Sequence, residues 1–226
     1  MSIKDKLLSP RLQAIYDCID EGVSVADIGT DHAYLPIALA LNQKSPTIYA
    51  VDNKQGPLFQ AQKMVDFYDV SEHVVCSLVG HNKPYHKVDL WVIAGMGFQS
   101  VKQIILEYEQ TIQQLRKIII QVNHQVEKLR EFCMDKRLHI LDEIIVYDEF
   151  YYTILVVQYS DKPLSYSESE IQHGPILLAK RDAIFLKYCQ YKKTQLHALL
   201  IKIPEHDRKW QHIHHQLMLI DDILNQ

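Results

Sequence analysis

Hydrophobic and polar positions along this chain follow two periods, and the switches between them mark out its elements. Leu8, Leu12, Ile15, Tyr16 and Ile19 recur at spacings of three and four, which predicts a first amphipathic helix. After Gly22 the pattern changes to short apolar, β-branched runs, one over 23–28 ending at Gly29 and one over 47–52. Residues 34–42 between them read as helix, so the unit is βαβ with parallel pairing. The rhythm continues with a helix over 58–68, strands over 73–78 and 88–94, a helix over 98–114, a strand over 117–122 and a helix over 125–136. Five strands in this order predict an α/β, Rossmann-like doubly wound sheet.

The next segment breaks the rhythm. Residues 138–146 and 151–159 are two strand-like runs joined by the polar link Tyr147-Asp148-Glu149-Phe150, with no room for a helix, so they predict an antiparallel hairpin. A parallel sheet closed by such a hairpin resembles the class I methyltransferases, which implies a seven-stranded sheet of five parallel strands plus the hairpin. A dehydrogenase would continue its βα alternation. Asp161-Lys162-Pro163-Leu164-Ser165-Tyr166-Ser167 has linker composition. Past Gly174-Pro175 the pattern is helical, in one long segment up to residue 203 and another after Pro204. In the last segment Trp210, Ile213, Leu217, Ile220 and Leu224 step by three and four, the seam of a coiled coil. The stripe before it, Leu177, Ile184, Tyr188, Tyr191, Leu199 and Ile203, is less regular. We expect a C-terminal α-helical coiled-coil hairpin, too short to fold alone and so packed on itself or on the body. The expected domains are 1–160 and 161–226.

Composition narrows the class. At 226 residues, 47% hydrophobic and 23% charged, the chain suits one medium domain with a modest appendage and is neither disordered nor fibrous. Apolar runs fall short of the 18 or more residues that a membrane-spanning helix needs, so no membrane partner is expected. The mixed charges of Met1-Ser2-Ile3-Lys4-Asp5 lack the pattern of a secretory signal, which places the protein in the cytoplasm. Cys18, Cys76, Cys133 and Cys189 lie far apart without a CxxC pair and read as reduced, mostly buried thiols, with no metal site or disulfide framework. The net charge of −4 is uneven: residues 1–161 hold 15 Lys and Arg against 21 Asp and Glu, whereas 162–226 hold 9 against 7 and six of the 12 histidines. A mildly basic appendage on an acidic body is compatible with RNA and equally with solvated helix faces.

Three strand ends carry candidate chemistry, because ligands of doubly wound sheets bind beyond the carboxyl ends of the strands. The first is Asp27-Ile28-Gly29-Thr30-Asp31-His32. It lacks a G-x-G-x-x-G fingerprint, so it is not shaped for a pyrophosphate, and S-adenosyl-L-methionine fits better than NAD. Asp27 and Asp31 would favour the ammonium of that cofactor, although Asp31 has equally the place of a cap for the following helix. The second is Asp52, 25 residues after Asp27, where a carboxylate can accept hydrogen bonds from both ribose hydroxyls or begin the turn toward Gly56-Pro57. The third is Ala94-Gly95-Met96-Gly97, whose small residues let backbone approach a cofactor or simply make a turn.

Taken together, the segment Ala26-Asp27-Ile28-Gly29-Thr30-Asp31-His32-Ala33-Tyr34-Leu35-Pro36, then Gly56-Pro57, Ile93-Ala94-Gly95-Met96-Gly97 and Gln121-Val122-Asn123, resembles the bacterial tRNA (adenine(22)-N(1))-methyltransferases. Leu8-Ser9-Pro10-Arg11-Leu12 and His173-Gly174-Pro175 are similar to further marks of that family, so the resemblance spans nearly the whole chain. It implies an S-adenosyl-L-methionine cofactor, a tRNA substrate and no metal or obligate protein partner. By it the cofactor meets Arg11, Asp27, Gly29, Asp31 and His32 at the first strand, Asp52 and Asn53 at the second, Gly80, His81 and Asn82 at the third, and Ala94, Gly95 and Met96 at the fourth. The chain departs from the family pattern in four places. Gly80-His81-Asn82 stands for Gly-Asp-Gly, whose aspartate meets the adenine; Asp52 stands for Glu; Phe98 stands for a glycine; and Val122 stands for proline or a small residue.

The implied product is N1-methyladenosine at position 22, in the D-arm of tRNA. Adenine N1 already carries a lone pair, so the reaction asks for positioning and desolvation more than for a strong base. The base must also leave its stack to expose its Watson–Crick edge. Tyr34 is expected to stack on or position that base, or to be a core aromatic at a helix start, and Asp31 or Asn123 to hold its N6 amine. Lys180, Arg181, Lys187, Lys192 and Lys193, with Lys202, Arg208 and Lys209, are candidate phosphate contacts in the helical tail; the alternative is a seam that only closes the hairpin. Two other readings stay open: a catalytically weakened RNA-binding scaffold that keeps the fold, and a small-molecule methyltransferase.

Overall fold

The computed structural model describes residues 7–80 and 83–225. Contacts divide the chain into two units, 1–165 and 166–226. The break falls five residues beyond the expected 160/161 boundary, because the linker's first residues stay tied to the sheet. Arg137 donates to the Asp161 carbonyl at 3.4 Å, and His139 Nε2 lies 3.0 Å from the Lys162 carbonyl.

In the first unit, β1 (Val25–Ile28), β2 (Ile48–Asp52), β3 (Val74–Leu78), β4 (Leu90–Met96) and β5 (Lys117–Val122) are parallel. The hairpin β6 (Leu138–Asp148) and β7 (Phe150–Tyr159) closes the sheet, β7 pairing antiparallel with β5, in the order β3-β2-β1-β4-β5-β7-β6. This is the seven-stranded arrangement expected. Strand order reverses between β1 and β4, and the crevice beyond their carboxyl ends is where such a sheet takes a ligand. Strands covered on both faces are mostly apolar: β1 is buried at all four positions, with Asp27 its one polar residue, and Ile118, Ile119 and Ile120 are buried in β5.

Helices α1 (Pro10–Asp17), α2 (Tyr34–Leu41), α3 (Gln55–Phe67), α4 (Phe98–Glu107), α5 (Glu109–Ile112) and α6 (Val126–Asp135) join the strands. Three boundaries differ from the pattern. The first helix begins at Pro10, capped by Ser9, whose hydroxyl accepts from Leu12 N–H at 3.4 Å. Helix α3 begins at Gln55 and so takes in Gly56-Pro57, since a proline in the first turn costs no helical hydrogen bond. The helix expected over 98–114 breaks at Tyr108, which leaves helical geometry at φ −112, ψ 31. Between α6 and β6 the Arg130 and Glu143 side chains form a buried pair, Nε to Oε1 2.7 Å.

The second unit holds α7 (Glu168–His173), α8 (Pro175–Lys180), α9 (Ala183–Leu200) and α10 (Arg208–Asn225). One long helix was expected past Gly174-Pro175 up to residue 203, and that segment is instead cut once, at 181–182, and ends at Leu200, with a further short helix before it. Gly174 at φ 95 ends α7, Arg181 in the left-handed region ends α8, and Asp182 starts α9 by accepting from Phe185 N–H at 2.8 Å. Helices α9 and α10 run antiparallel, with Arg181 donating to the Ile223 carbonyl at 2.7 Å and Lys193 paired to Asp221. The α10 seam is as expected, with Leu217 and Ile220 buried and Trp210, Ile213 and Leu224 half-buried, joined by buried Ile223; the α9 stripe differs, being Phe185, Cys189 and Leu196, while Tyr191 and Leu199 are exposed. Among the described residues no helix is long and apolar enough to cross a membrane.

Candidate functional site

The carboxyl ends of β1, β2 and β4 open into two neighbouring cavities that share Gly29. The larger, about 930 Å³, receives Arg11 from α1, Asp27, Asp31 and His32 from the end of β1, Tyr34 from α2, and Ala94 and Gly95 from β4. Leu12, Leu35, Met64 and Tyr68 give it an apolar wall. The smaller, about 340 Å³, is bounded by Asp52 and Asn53 on one side, Val79 and Met96 on another, and Ser100 and Gln103 of α4 on a third. Gly29 sits at φ +83, where side chains are strained, and a Cβ there would also run into the Met96 methyl. The backbone angle is what calls for glycine at the junction, since the Met96 methyl ends a flexible side chain that can turn away.

Local geometry sets the charge state. Asp27 is 8% exposed, and its Oδ2 accepts from the Thr30 hydroxyl at 2.7 Å. Burial pushes its carboxyl up to about 6, against the pull of the Thr30 hydrogen bond; the Asp52 charge raises it further and Arg11 lowers it. Asp52 is equally buried at 8% and its Oδ1 accepts from Lys54 N–H at 2.9 Å. Asp31 does not cap α2. It stands at φ 50, and the residue before the helix is Ala33, which makes no side-chain cap. Its carboxylate is exposed 3.7 Å from His32 Nε2, and the His32 and Tyr34 rings stack with centroids 5.5 Å apart.

A second layer holds the β4 end in shape. Gln121, fully buried at 0% exposure, accepts from Arg11 at 2.8 Å and from Gly95 N–H at 3.0 Å through one oxygen. Its amide reaches Asn123 Oδ1 at 3.3 Å, and Asn123 Nδ2 donates back to the Gly95 carbonyl at 2.9 Å. The Arg11 guanidinium also lies 5.5 Å over the Tyr152 ring, and its backbone N–H reaches Asp148 at 3.2 Å. Beside the smaller cavity, the buried Tyr85 hydroxyl accepts from Gly80 N–H at 2.8 Å and donates to the Gly80 carbonyl at 2.9 Å.

Most residues singled out from the sequence therefore converge: Arg11, Asp27, Asp31, His32, Tyr34, Ala94 and Gly95 on one cavity, Asp52, Asn53 and Met96 on the other, with Gly29 on both. Asn123 lines neither, its amide being engaged with Gly95, and Gly80 stands behind Val79. His81 and Asn82 lie outside the described residues. Sequence reasoning named Gln121 only within the Gln121-Val122-Asn123 mark and gave it no role, and it passed over Tyr85, Ser100 and Gln103. A lone glutamine ending the apolar run Ile118-Ile119-Ile120 is the signal that marks the first. Among the described residues no three His, Cys, Asp or Glu side chains are grouped to hold a metal ion.

Comparison with known proteins gives one family. Residues 25–222 match the family model TrmK, tRNA (adenine(22)-N(1))-methyltransferase. The chain is 29% identical over 187 residues to the tRNA (adenine(22)-N(1))-methyltransferase of Bacillus subtilis, covering 80% of this chain and 79% of that protein. It superposes with TM-score 0.82 on TrmK of M. capricolum solved with S-adenosyl-homocysteine, at 28% identity over 97% of this chain and 98% of the other. A Streptococcus pneumoniae protein solved in complex with S-adenosyl-L-methionine gives TM-score 0.85 at 25% identity, over 96% and 99%.

Proposed function

The chain belongs to the tRNA (adenine(22)-N(1))-methyltransferase family, whose cofactor is S-adenosyl-L-methionine, and from that premise we propose which of its own residues perform each part of methyl transfer to adenine N1. The observation that carries the assignment is the pair of cavities joined at Gly29, one lined by the acid Asp52 and the other by Asp31, His32 and Tyr34. The donor set fits the cofactor. Asp52 offers a carboxylate for two vicinal hydroxyls, Asp27 and Asp31 offer anionic charge for an ammonium, and the glycines at 29 and 95 leave backbone bare at the point of closest approach.

Bound there, S-adenosyl-L-methionine supplies an electrophilic methyl group. Tyr34 and His32 form a stacked aromatic surface for the extruded adenine, and Asp31 accepts a hydrogen bond from its N6 amine. This leaves the N1 lone pair aimed toward Gly29. Leu12, Leu35, Met64 and Tyr68 exclude water from that end of the cavity, so N1 reaches the methyl group without its hydration. Asn123 is a positioning residue: by holding the Gly95 carbonyl it fixes the β4 end. Attack by a neutral ring nitrogen needs neither a Lewis acid nor a strong base, and the N6 proton of the cationic product departs to solvent. The cytoplasm, where tRNA is made, is the compartment this reading implies, and it requires no metal or obligate protein partner.

The test is methyl transfer from labelled S-adenosyl-L-methionine to an unmodified tRNA transcript with adenosine at position 22, beside the same transcript with guanosine there, each digested and analysed by mass spectrometry. N1-methyladenosine from the first alone is expected. Product from neither, with folded protein and several tRNA species, overturns the assignment in favour of a non-catalytic RNA-binding protein; turnover of a small molecule without RNA would do so in favour of a small-molecule methyltransferase.

A further inference from the structure

The smaller cavity poses a recognition problem that its own residues address. The loop after β3 carries Gly80-His81-Asn82 with no acid, so the usual carboxylate acceptor for an adenine amine is missing from it. Its lining is otherwise of the kind a nucleoside needs, an acid for the ribose hydroxyls and apolar and aromatic side chains for a base. Asp52 and Asn53 stand at one edge, Val79 and Met96 supply apolar sides, and one face of α4 closes it with Ser100, Gln103, Ile104 and Glu107 at spacings of three, one and three.

Of these α4 side chains, only some can read a purine edge. Ile104 is apolar and Ser100 is short. Glu107 is engaged by the Tyr108 hydroxyl, whose acidity is suppressed to about 12 by burial first and then by that hydrogen bond. Gln103 remains: it is exposed, lines the cavity, and no hydrogen bond among the described residues uses its carboxamide. A carboxamide presents an acceptor and a donor side by side, the pattern that matches an adenine's amine and its neighbouring ring nitrogen. Its position on a helix fixed by buried Phe98, Val101 and Ile105 gives it a firm base.

We propose that Gln103 reads the adenine edge of the cofactor in this chain, accepting from the exocyclic amine and donating to a ring nitrogen, in place of the absent loop acid. The inference rests on the S-adenosyl-L-methionine reading above. It moves the adenine contact from the β3–β4 loop to α4, and it makes cofactor selectivity a property of a neutral side chain, insensitive to pH.

The test is calorimetric binding of S-adenosyl-homocysteine and of its 6-deamino purine-riboside analogue, which lacks only the exocyclic amine. Wild-type protein should prefer the adenine form by about fivefold, the range of one net hydrogen bond. Gln103→Leu should bind both forms equally, and more weakly than wild type binds the 6-deamino analogue, since the bond to the ring nitrogen is lost as well. Gln103→Glu, which keeps an acceptor, should retain the preference. Thermal unfolding of both variants at the wild-type temperature shows that the helix is intact. A wild-type protein with no preference, a Gln103→Leu variant that keeps it, or loss of preference in Asn82→Ala with Gln103→Leu unchanged overturns the inference while leaving the function standing. Failure of wild-type protein to bind S-adenosyl-homocysteine at all overturns both.

Discussion

Asp27 shows how one buried group sets stability and function against each other. Its carboxyl is raised from 3.8 to about 6, chiefly by burial, so the folded chain holds this proton more tightly than the unfolded chain does. Between about pH 4 and pH 6 the native state therefore binds more protons, and stability falls as pH rises through that window, with the full cost present above it. Asp27→Asn removes the cost. In urea denaturation the variant should gain on wild type as pH rises from 4 to 6 and hold a constant advantage of about 3 kcal/mol or less above it. The same change should weaken binding of S-adenosyl-homocysteine about tenfold at pH 7.5, because the neutral amide no longer faces the ligand's ammonium; equal affinity in calorimetry would remove Asp27 from the cofactor site. Tyr34→Ala should leave that affinity unchanged and lower kcat for tRNA about 100-fold, since its ring serves the base rather than the cofactor. A kcat within twofold of wild type would return Tyr34 to the role of a helix-start aromatic.

Among the elements, α6 and β6 depend on one buried ion pair. Arg130 and Glu143 have side chains 2% and 0% exposed. Arg130→Met alone leaves a buried carboxylate without its partner and should cost about 3–5 kcal/mol in chemical denaturation, whereas Arg130→Met with Glu143→Leu should recover most of the loss. If the double variant is as unstable as the single one, packing rather than charge holds this joint. Neither partner announces itself in the sequence, and that marks the general limit. Every strand and the closing hairpin are legible because period two and β-branched runs are local signals. The breaks at Tyr108 and Arg181 are not, because hydrophobic spacing carries across a local turn; the short helix α7 is missed as well, its Ser167 and Glu170 capping box being readable only once a helix is sought there. The site divides in the same way. Asp27, Gly29, Asp52 and Gly95 are legible because a strand end places them. The bond from Arg11 to Gln121 joins positions 110 residues apart, and the hydroxyl of Tyr85 meets Gly80 without any local pattern announcing it, so the holders of the site appear only in three dimensions.

At the scale of the whole molecule, charge is segregated in a way that assigns the two units different work. Residues 1–161 carry six more acids than bases, while 162–226 carry two more bases than acids, so the tail is the less repulsive part of the chain for a polyanion. In the second unit Lys187, Lys192, Lys202, Arg208 and Lys209 are all exposed, and the basic residues Lys193 and Arg181 are partly occupied by Asp221 and the Ile223 carbonyl. The exposed set is therefore the part of the tail available to phosphates. If it holds the tRNA, binding releases counterions and weakens with salt, and each lost contact lowers the steepness of that dependence by about one. Lys187→Glu with Lys192→Glu should raise KM for tRNA about tenfold at 150 mM salt and reduce the salt slope by about two, with affinity for S-adenosyl-homocysteine unchanged. The two positions lie on one helix whose buried stripe is Phe185, Cys189 and Leu196, so the substitutions leave its packing intact. An unchanged KM and slope would show that the acidic unit binds tRNA through its own bases, and that α9 and α10 serve only to close on each other.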